Sequence, residues 1–187
     1  GRDILPFLHV AGRLLDEGED VVLKLHTKRS THRQDGEQWR NELIGRLLAP
    51  DRAAAIVRAF GEQPGLGLVA PEGHVQPLHF YWGANQGNVR ALLGRLGIAQ
   101  PDLERDTFIA GSMFWVRLPA LRPLLDGHLQ PSQFEAEAAQ VDGTLAHAIE
   151  RIFTLAARDA GFRQATAAEL LGLPVDAAAP YAYARRH

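Results

Sequence analysis

Apolar positions recur at helical spacing from the start of the chain. Ile4, Leu5, Leu8, Ala11, Leu14 and Leu15 form one stripe behind Asp3, a residue suited to capping, and Gly18 closes the run. The period then changes. Val21 to His26 opens β-branched and apolar, which predicts a short strand, and the polar stretch from Thr27 to Gly36 predicts a loop. Trp39, Leu43, Leu47 and Leu48 share a second helical face, Pro50 interrupts it, and Ala54 to Phe60 predicts a further helix before Gly61. Gly67 to Ala70 reads as a buried strand closed by Pro71. Glu72 to Gly87, rich in Gly, Pro, His and aromatic residues, has no period and reads as a long loop, where function often concentrates.

Beyond it, Asn88 to Leu96 predicts a helix, Thr107 to Arg117 a single strand, Pro119 to Leu125 a helix and Pro131 to Glu137 a short helical turn. The strongest stripe, Leu145, Ile149, Ile152, Phe153, Ala156 and Ala160, predicts a helix from Asp142 that stops at Gly161. From Pro174 the chain is rich in Ala and Pro and reads as a loose tail. Helices alternating with short strands point to an α/β layer architecture, with no repeat and no dividing linker.

Composition narrows this picture. With 187 residues, 46% hydrophobic and 22% charged, the chain is long enough to bury a core and too apolar for a disordered one. No apolar run approaches the roughly 18 to 20 residues of a membrane-spanning helix. The absence of cysteine removes disulfides, thiolate nucleophiles and Cys-type zinc sites, and leaves a cytoplasmic chain as the default. A net charge of −2 gives no reason to expect a nucleic-acid partner. A chain that opens Gly-Arg-Asp, with its one methionine at position 113, reads as a piece of something longer.

The distribution of charge says more than its sum. Of the 20 basic residues only two are lysines, Lys24 and Lys28, and both fall in Leu23-Lys24-Leu25-His26-Thr27-Lys28-Arg29-Ser30. Ligands of open α/β sheets bind beyond the carboxyl ends of strands, where this segment lies. Lys24, His26, Lys28 and Arg29, with the hydroxyls of Thr27 and Ser30, could surround a phosphate or diphosphate, or could be a solvated basic loop. Strand alternation lets only one of Lys24 and Leu25 point the same way as His26. The acidic run Asp16-Glu17-Gly18-Glu19-Asp20 precedes the strand and sits at its amino end, the wrong side for a metal serving that site. No HExxH pair, phosphate-loop glycines or GxSxG elbow occurs in context.

Two further groups carry candidate chemistry. Asp142 would be explained as a helix cap, or could be an ionised proton acceptor at a helix amino end, with Glu135 and Glu137 as rival bases. Thr144, His147 and Arg151 share a polar side of that helix. Trp82-Gly83-Ala84-Asn85, with His74, His79 and Tyr81, mixes rings that could lie against the C–H faces of a sugar with amide and imidazole partners for its hydroxyls; the competing reading is an aromatic anchor pinning a long loop.

Several stretches together are similar to the rhamnan synthesis protein F family of bacterial polysaccharide-assembly proteins. They are Gly-Arg-Asp-Ile-Leu-Pro-Phe-Leu at 1–8, Leu-Lys-Leu-His-Thr-Lys-Arg-Ser at 23–30, Trp-Arg-Asn-Glu-Leu at 39–43, and Gly-Leu-Val-Ala-Pro at 67–71. Phe-Ile-Ala-Gly-Ser-Met-Phe-Trp-Val-Arg at 108–117 and Gln-Val-Asp-Gly-Thr-Leu-Ala-His-Ala-Ile-Glu-Arg at 140–151 continue the series, which leaves the tail after Phe162 uncovered. The resemblance implies an inverting glycosyltransferase that moves a sugar, plausibly rhamnose, from a nucleotide-diphospho donor to a surface polysaccharide or lipopolysaccharide glycan. It implies a GT-A-like domain over residues 1–162 that lacks its first, base-binding strands, followed by a tail over 163–187. In that fold the comparable strand ends in Asp-x-Asp and holds a metal, whereas here it ends in His26-Thr27-Lys28, so the expectation is metal-independent chemistry with no cofactor beyond the donor.

On this reading Lys24, His26, Thr27, Lys28, Arg29 and Ser30 bind the diphosphate, and Asp142 or Glu135 deprotonates the acceptor. Trp82, Asn85, His147 and Arg151 hold a sugar. The expected partners are the nucleotide sugar, the glycan acceptor, the rest of a longer polypeptide and membrane-bound lipid-linked glycan met at the cytoplasmic face of the inner membrane. The rival class is a non-catalytic glycan-binding or scaffolding module.

Overall fold

The computed structural model describes residues 3–26, 36–136, 142–175, 181 and 183. A first helix, α1 (Ile4–Asp16), leads into β1 (Val21–Lys24); α2 (Gly36–Leu48) and α3 (Pro50–Glu62) follow, then β2 (Leu66–Ala70). Pro50 sits in the first turn of α3, where its missing N–H costs no helical hydrogen bond and its fixed φ suits the start. The middle of the chain supplies β3 (Val75–Pro77), α4 (Gln86–Leu96), β4 (Thr107–Ile109), β5 (Phe114–Arg117) and the short α5 (Arg122–Leu125). The last elements are α6 (Leu145–Asp159), β6 (Arg163–Thr166) and the short α7 (Ala167–Leu170).

Four strands form the main sheet in the order β1-β5-β2-β6. β5 runs antiparallel to both β1 and β2, whereas β2 and β6 are parallel, so the sheet is mixed. Pleat alternation sends Phe114 and Val116 of β5, and Leu68 and Ala70 of β2, to one face, where they meet Ile4 and Leu8 of α1, Val89 and Leu93 of α4, and Ile149, Ile152 and Phe153 of α6. Phe114 and Phe153 pack with ring centroids 5.0 Å apart, and Phe7 adds edge contacts to both at 6.1 and 6.0 Å. On the opposite face Leu66, Val69 and Ala165 pack on Ile56, Ala59 and Phe60 of α3 and Ala167 of α7, while Leu43 and Leu47 of α2 cover Met113. The expected α/β layering is therefore present, with helices on both faces of the sheet.

Several elements depart from the sequence pattern. The single strand expected over Thr107 to Arg117 is two strands in two sheets: β4 pairs with β3 in a separate ribbon, and β5 enters the main sheet. Between them Gly111 and Ser112 both adopt left-handed backbone, with φ of 87° and 52°. That pair of dihedrals redirects the chain, and β-rich residues on either side conceal it. The long loop from Glu72 to Gly87 contains β3 and a 3-10 turn at Gly83–Asn85, and the turn after Pro131 ends at Gln133. The expected helix from Pro119 is a 3-10 turn, Leu118–Leu121, followed by α5.

The helix expected to begin at Asp142 begins at Leu145. Thr144 is its N-cap, accepting a hydrogen bond from the His147 backbone N–H, and the His147 side chain reaches back to the Thr144 N–H in a closed capping box. Residues 163–170, assigned above to a tail, supply β6 and α7. Replacing the cap, Thr144→Ala, is expected to cost about 1 kcal/mol, measured as a lower urea midpoint at unchanged m-value.

Candidate functional site

The carboxyl end of β1 meets the turn between β4 and β5, and side chains from three elements converge there. Lys24 is buried, its Nζ 2.5 Å from the Asp3 carboxylate at the start of α1 and 2.7 Å from the Ser112 carbonyl to which it donates. The ammonium also lies 5.4 Å from the Phe7 ring centroid and 5.9 Å from that of Phe114. Lys24 therefore turns into the fold and presents no charge to a ligand beyond the strand. Burial opposes ionisation of Asp3, yet the charge and hydrogen bond of Lys24, with the charge of His26 behind them, outweigh it and hold the carboxyl below its ordinary value.

His26 lies against the same turn, its Nε2 2.8 Å from the Gly111 carbonyl. That contact requires a proton on Nε2, which leaves Nδ1 as a lone-pair acceptor in the neutral ring. Nδ1 is buried and has no hydrogen-bond partner among the described residues, and the same holds for the Ser112 hydroxyl. The alternation is thus resolved, with Lys24 and His26 engaging consecutive carbonyls of one turn while Leu25 is exposed. Thr27, Lys28, Arg29 and Ser30 lie outside the described residues, as does Glu137.

The second constellation joins the loop before α6 to the start of α4. The Asp142 carboxylate accepts hydrogen bonds from the Asn85 amide and, at 3.0 Å, from the Ala84 N–H. In return the Gly143 N–H donates to Asn85 Oδ1 at 3.1 Å, and the Asn88 amide donates to the Gly143 carbonyl at 2.9 Å. Asn85 is fully buried, so its amide must be paired, and Asp142 and Gly143 supply the partners. Gly83 is required here because its φ is 54° and a Cβ would strike the Asp142 carboxylate. Burial again works against ionisation of Asp142, but the Asn85 amide, the Ala84 and Gly143 N–H groups and the Arg151 charge prevail and lower its pKa. Asp142 is therefore a latch between two loops rather than the cap of α6.

Glu135, the rival base, binds the orphan N–H of Leu145 through both carboxylate oxygens, at 3.1 and 3.0 Å, and so caps the first turn of α6 from outside. Of the expected sugar-binding set, Trp82 packs into the core beside Leu78, with its indole N–H buried and unpaired among the described residues. His147 is buried in the capping box. Arg151 donates to the Tyr81 carbonyl at 3.2 Å, sits 4.5 Å over the Phe108 ring and pairs with Glu150. Asn85 and Asp142 come together, whereas Trp82, His147 and Arg151 are engaged by the core, the capping box and the Tyr81 carbonyl. The aromatic that the loop exposes is Phe80, 75% accessible, which the sequence reading passed over.

A third cluster centres on His74, which is 1% exposed. Its Nδ1 is 3.3 Å from both the Trp39 indole nitrogen and the Tyr181 hydroxyl, and its Nε2 is 3.6 Å from Glu42. The Tyr183 ring stacks on the imidazole with centroids 5.7 Å apart, and its hydroxyl donates to Glu42, which also pairs with Arg46 at 2.5 Å. Burial, aided by Arg46 and opposed by Glu42 and Glu72, pushes the His74 pKa down to about 4. His74 appeared in the sequence only as one member of a loop mixture, because its partners lie 32 or more positions away in Trp39 and Glu42 and far beyond in Tyr181 and Tyr183. Among the described residues, no group of three or more His, Asp or Glu side chains is disposed to hold a metal ion, and no helix is long and apolar enough to cross a membrane.

The family model for rhamnan synthesis protein F matches residues 1–162, and the chain belongs to that family, whose description places it in polysaccharide synthesis. It is also 54% identical over all 187 residues to proteins described as uncharacterized protein WxcX from two strains of Xanthomonas campestris pv. campestris. That similarity covers 100% of this chain and 27% of each relative, so the chain spans about a quarter of their length. No solved structure gives a significant match.

Lys24→Met leaves the Asp3 carboxylate and the Ser112 carbonyl without their partner and is expected to cost on the order of 3 kcal/mol in chemical denaturation. His74 has its folded pKa depressed relative to about 6.5 in the unfolded chain, so the unfolded state takes up a proton first. Stability is then full above about pH 6.5 and falls as pH drops towards 4, and thermal melts of His74→Gln are expected to show a shallower decline across that window.

Proposed function

We propose that the chain is the GT-A-like catalytic domain of an inverting glycosyltransferase acting in surface polysaccharide or lipopolysaccharide synthesis at the cytoplasmic face of the inner membrane. The observation that carries this reading is the carboxyl end of β1. There the ring of His26 offers a buried nitrogen with no partner among the described residues, directly before Thr27-Lys28-Arg29-Ser30, in a member of a polysaccharide-synthesis family. A departing nucleoside diphosphate develops negative charge, and His26, Lys28 and Arg29, with the hydroxyls of Thr27 and Ser30, supply the charge-assisted hydrogen bonds that stabilise it without a divalent metal. Lys24 acts indirectly, by fixing the turn on which His26 rests.

Asp142 is the better candidate for the base. Its lowered pKa keeps it ionised, and each carboxylate oxygen has two acceptor directions, so the bonds to Asn85 and Ala84 leave capacity for an acceptor hydroxyl. Glu135 is placed instead as a cap, spanning the Leu145 N–H at the start of α6 with its carboxylate. The base removes the acceptor proton as the oxygen attacks the anomeric carbon and the bond to the diphosphate breaks. The exposed ring of Phe80, three residues before Gly83, takes the place of Trp82 as the flat apolar surface for the acceptor sugar. Rhamnose is the donor sugar suggested by the family's description.

The test uses the full-length polypeptide with a nucleotide-sugar donor and a glycan acceptor. Asp142→Asn is expected to lower turnover about 100-fold or more while donor affinity stays near that of the parent. Lys28→Ala should weaken donor binding and transfer together, and turnover should survive EDTA. Unchanged turnover in Asp142→Asn removes the base assignment, and donor-independent behaviour in both variants removes the glycosyltransferase reading.

A further inference from the structure

Helices α4 and α6 run side by side in the same direction, and polar bonds tie them at both ends. At the amino ends the Asn88 amide donates to the Gly143 carbonyl and Asn85 accepts from the Gly143 N–H. At the carboxyl ends the Ala99 N–H donates to Asp159 Oδ1 at 3.2 Å. This second end opens into a cavity of about 680 Å³ shared with α5, within the roughly 300 to 1,000 Å³ that small-molecule sites occupy. The 15 residues of α6 rise about 22 Å, so the cavity lies at the far end of that helix from Asp142.

The apolar part of the cavity is Leu96 and Phe162 with two prolines. Phe162 is held in place from behind: a Cβ on Gly67 would lie 2.4 Å from the Phe162 Cβ, so β2 carries glycine where this residue presses on the sheet. The polar part is Arg95, Arg122, Asp126 and Asp159, all exposed and open to a ligand. These four are lightly committed. Arg122 and Asp126 have no side-chain hydrogen bond or ion pair among the described residues. Arg95 reaches the Gly127 carbonyl and Gln133 only at 3.4 Å, and Asp159 uses one oxygen on Ala99.

Two guanidinium groups against two carboxylates leave the lining neutral, and α4 and α6 both end here, adding the partial negative charge of helix carboxyl ends. An anion such as phosphate meets repulsion from both carboxylates and both helix ends, and a cation meets it from both arginines. A neutral ligand rich in hydroxyls avoids each penalty. Its O–H groups donate to the carboxylates and its oxygens accept from the guanidinium groups, while its C–H faces rest on Phe162 and Leu96. That is the chemistry of a sugar, in a chain that belongs to a polysaccharide-synthesis family.

We infer that the cavity at the carboxyl ends of α4 and α6 is a second glycan-binding site, taking a neutral stretch of oligosaccharide remote from the reacting end, with Arg122 and Asp126 as its hydrogen-bonding pair and Phe162 as its apolar platform. This inference rests on the polysaccharide part of the proposed function and not on the transfer step. Such a site grips chain already made while the terminal sugar lies elsewhere, so it governs affinity for the glycan rather than the chemistry.

The experiment is isothermal titration of a neutral rhamnose tetrasaccharide, and in parallel inorganic phosphate, into the full-length polypeptide, its Arg122→Ala/Asp126→Ala double variant and its Phe80→Ala variant, each also followed by thermal melting. Both substituted cavity residues are exposed, so the double variant is expected to melt with the parent. The expected result is tetrasaccharide affinity about 10-fold weaker in the double variant, with phosphate binding as in the parent. Tetrasaccharide affinity within twofold of the parent overturns the site, as does a loss confined to Phe80→Ala, which puts the glycan beside Asp142 instead. Loss of phosphate binding in the double variant makes the cavity an anion site and overturns the neutral-ligand assignment. A parent that binds no tetrasaccharide overturns the second glycan site, while sugar transfer by that same parent keeps the proposed transferase, so the two readings fail separately.

Discussion

One buried ion pair organises the molecule. Lys24 is the last residue of β1, Asp3 precedes α1, and the Ser112 carbonyl belongs to the turn that feeds β5, so a single ammonium ties the first helix, an outer strand and its neighbour together. An ammonium taken from water costs several kcal/mol, returned only where its hydrogens are all directed to acceptors. The carboxylate, the carbonyl and the two flanking phenyl rings provide that environment. Hydrophobic burial would tolerate α1 sliding along the sheet, whereas a paired charge admits one register. The position of Phe7 against Phe114 and Phe153 follows from it.

The latch at Asp142 does comparable work at the start of α6. The loop before the helix and the turn before α4 are 58 residues apart in sequence, yet Asn85 and Gly143 exchange donor and acceptor roles across them, with Asp142 accepting from both Asn85 and Ala84. Helix α6 is thereby fixed by three independent devices: the Thr144–His147 box, the Glu135 carboxylate and the Asp142 latch. On α6 the His147 ring closes the capping box with Thr144, and Arg151 donates to the Tyr81 carbonyl.

What the sequence disclosed follows from range. The stripes of α1, α3 and α6, the β-branched start of β1 and the buried strand β2 were legible because periodicity and β-propensity are local signals. The split of the expected strand at Gly111–Ser112 was not, since Phe108, Ile109, Phe114 and Trp115 carry strand propensity on both sides and only a glycine marks the break. Lys24 stood out in the sequence as a cation for a diphosphate, but its contacts are to Asp3 and to a carbonyl 88 positions away, which no local pattern carries. Trp82 is buried and Phe80 exposed for the same reason: neighbouring aromatics in a loop differ in burial through tertiary packing alone. Asn85 and Asp142 were both chosen, though as members of separate groups, and their direct contact is a property of the fold.

The parallel pairing of β6 with β2 bears on where this domain can be cut. The family match ends at residue 162, one residue before β6 begins, although Leu66 to Ala70 of β2 is buried along its whole length. A fragment ending at the family boundary would bare the hydrogen-bonding edge of an apolar strand, an invitation to pair with another molecule. In the intact chain that edge is covered by β6, which shows exposed Arg163 and Gln164 to solvent and deters further pairing. The family match thus stops one strand short of the sheet, and β6 is the element that covers the outer edge of β2.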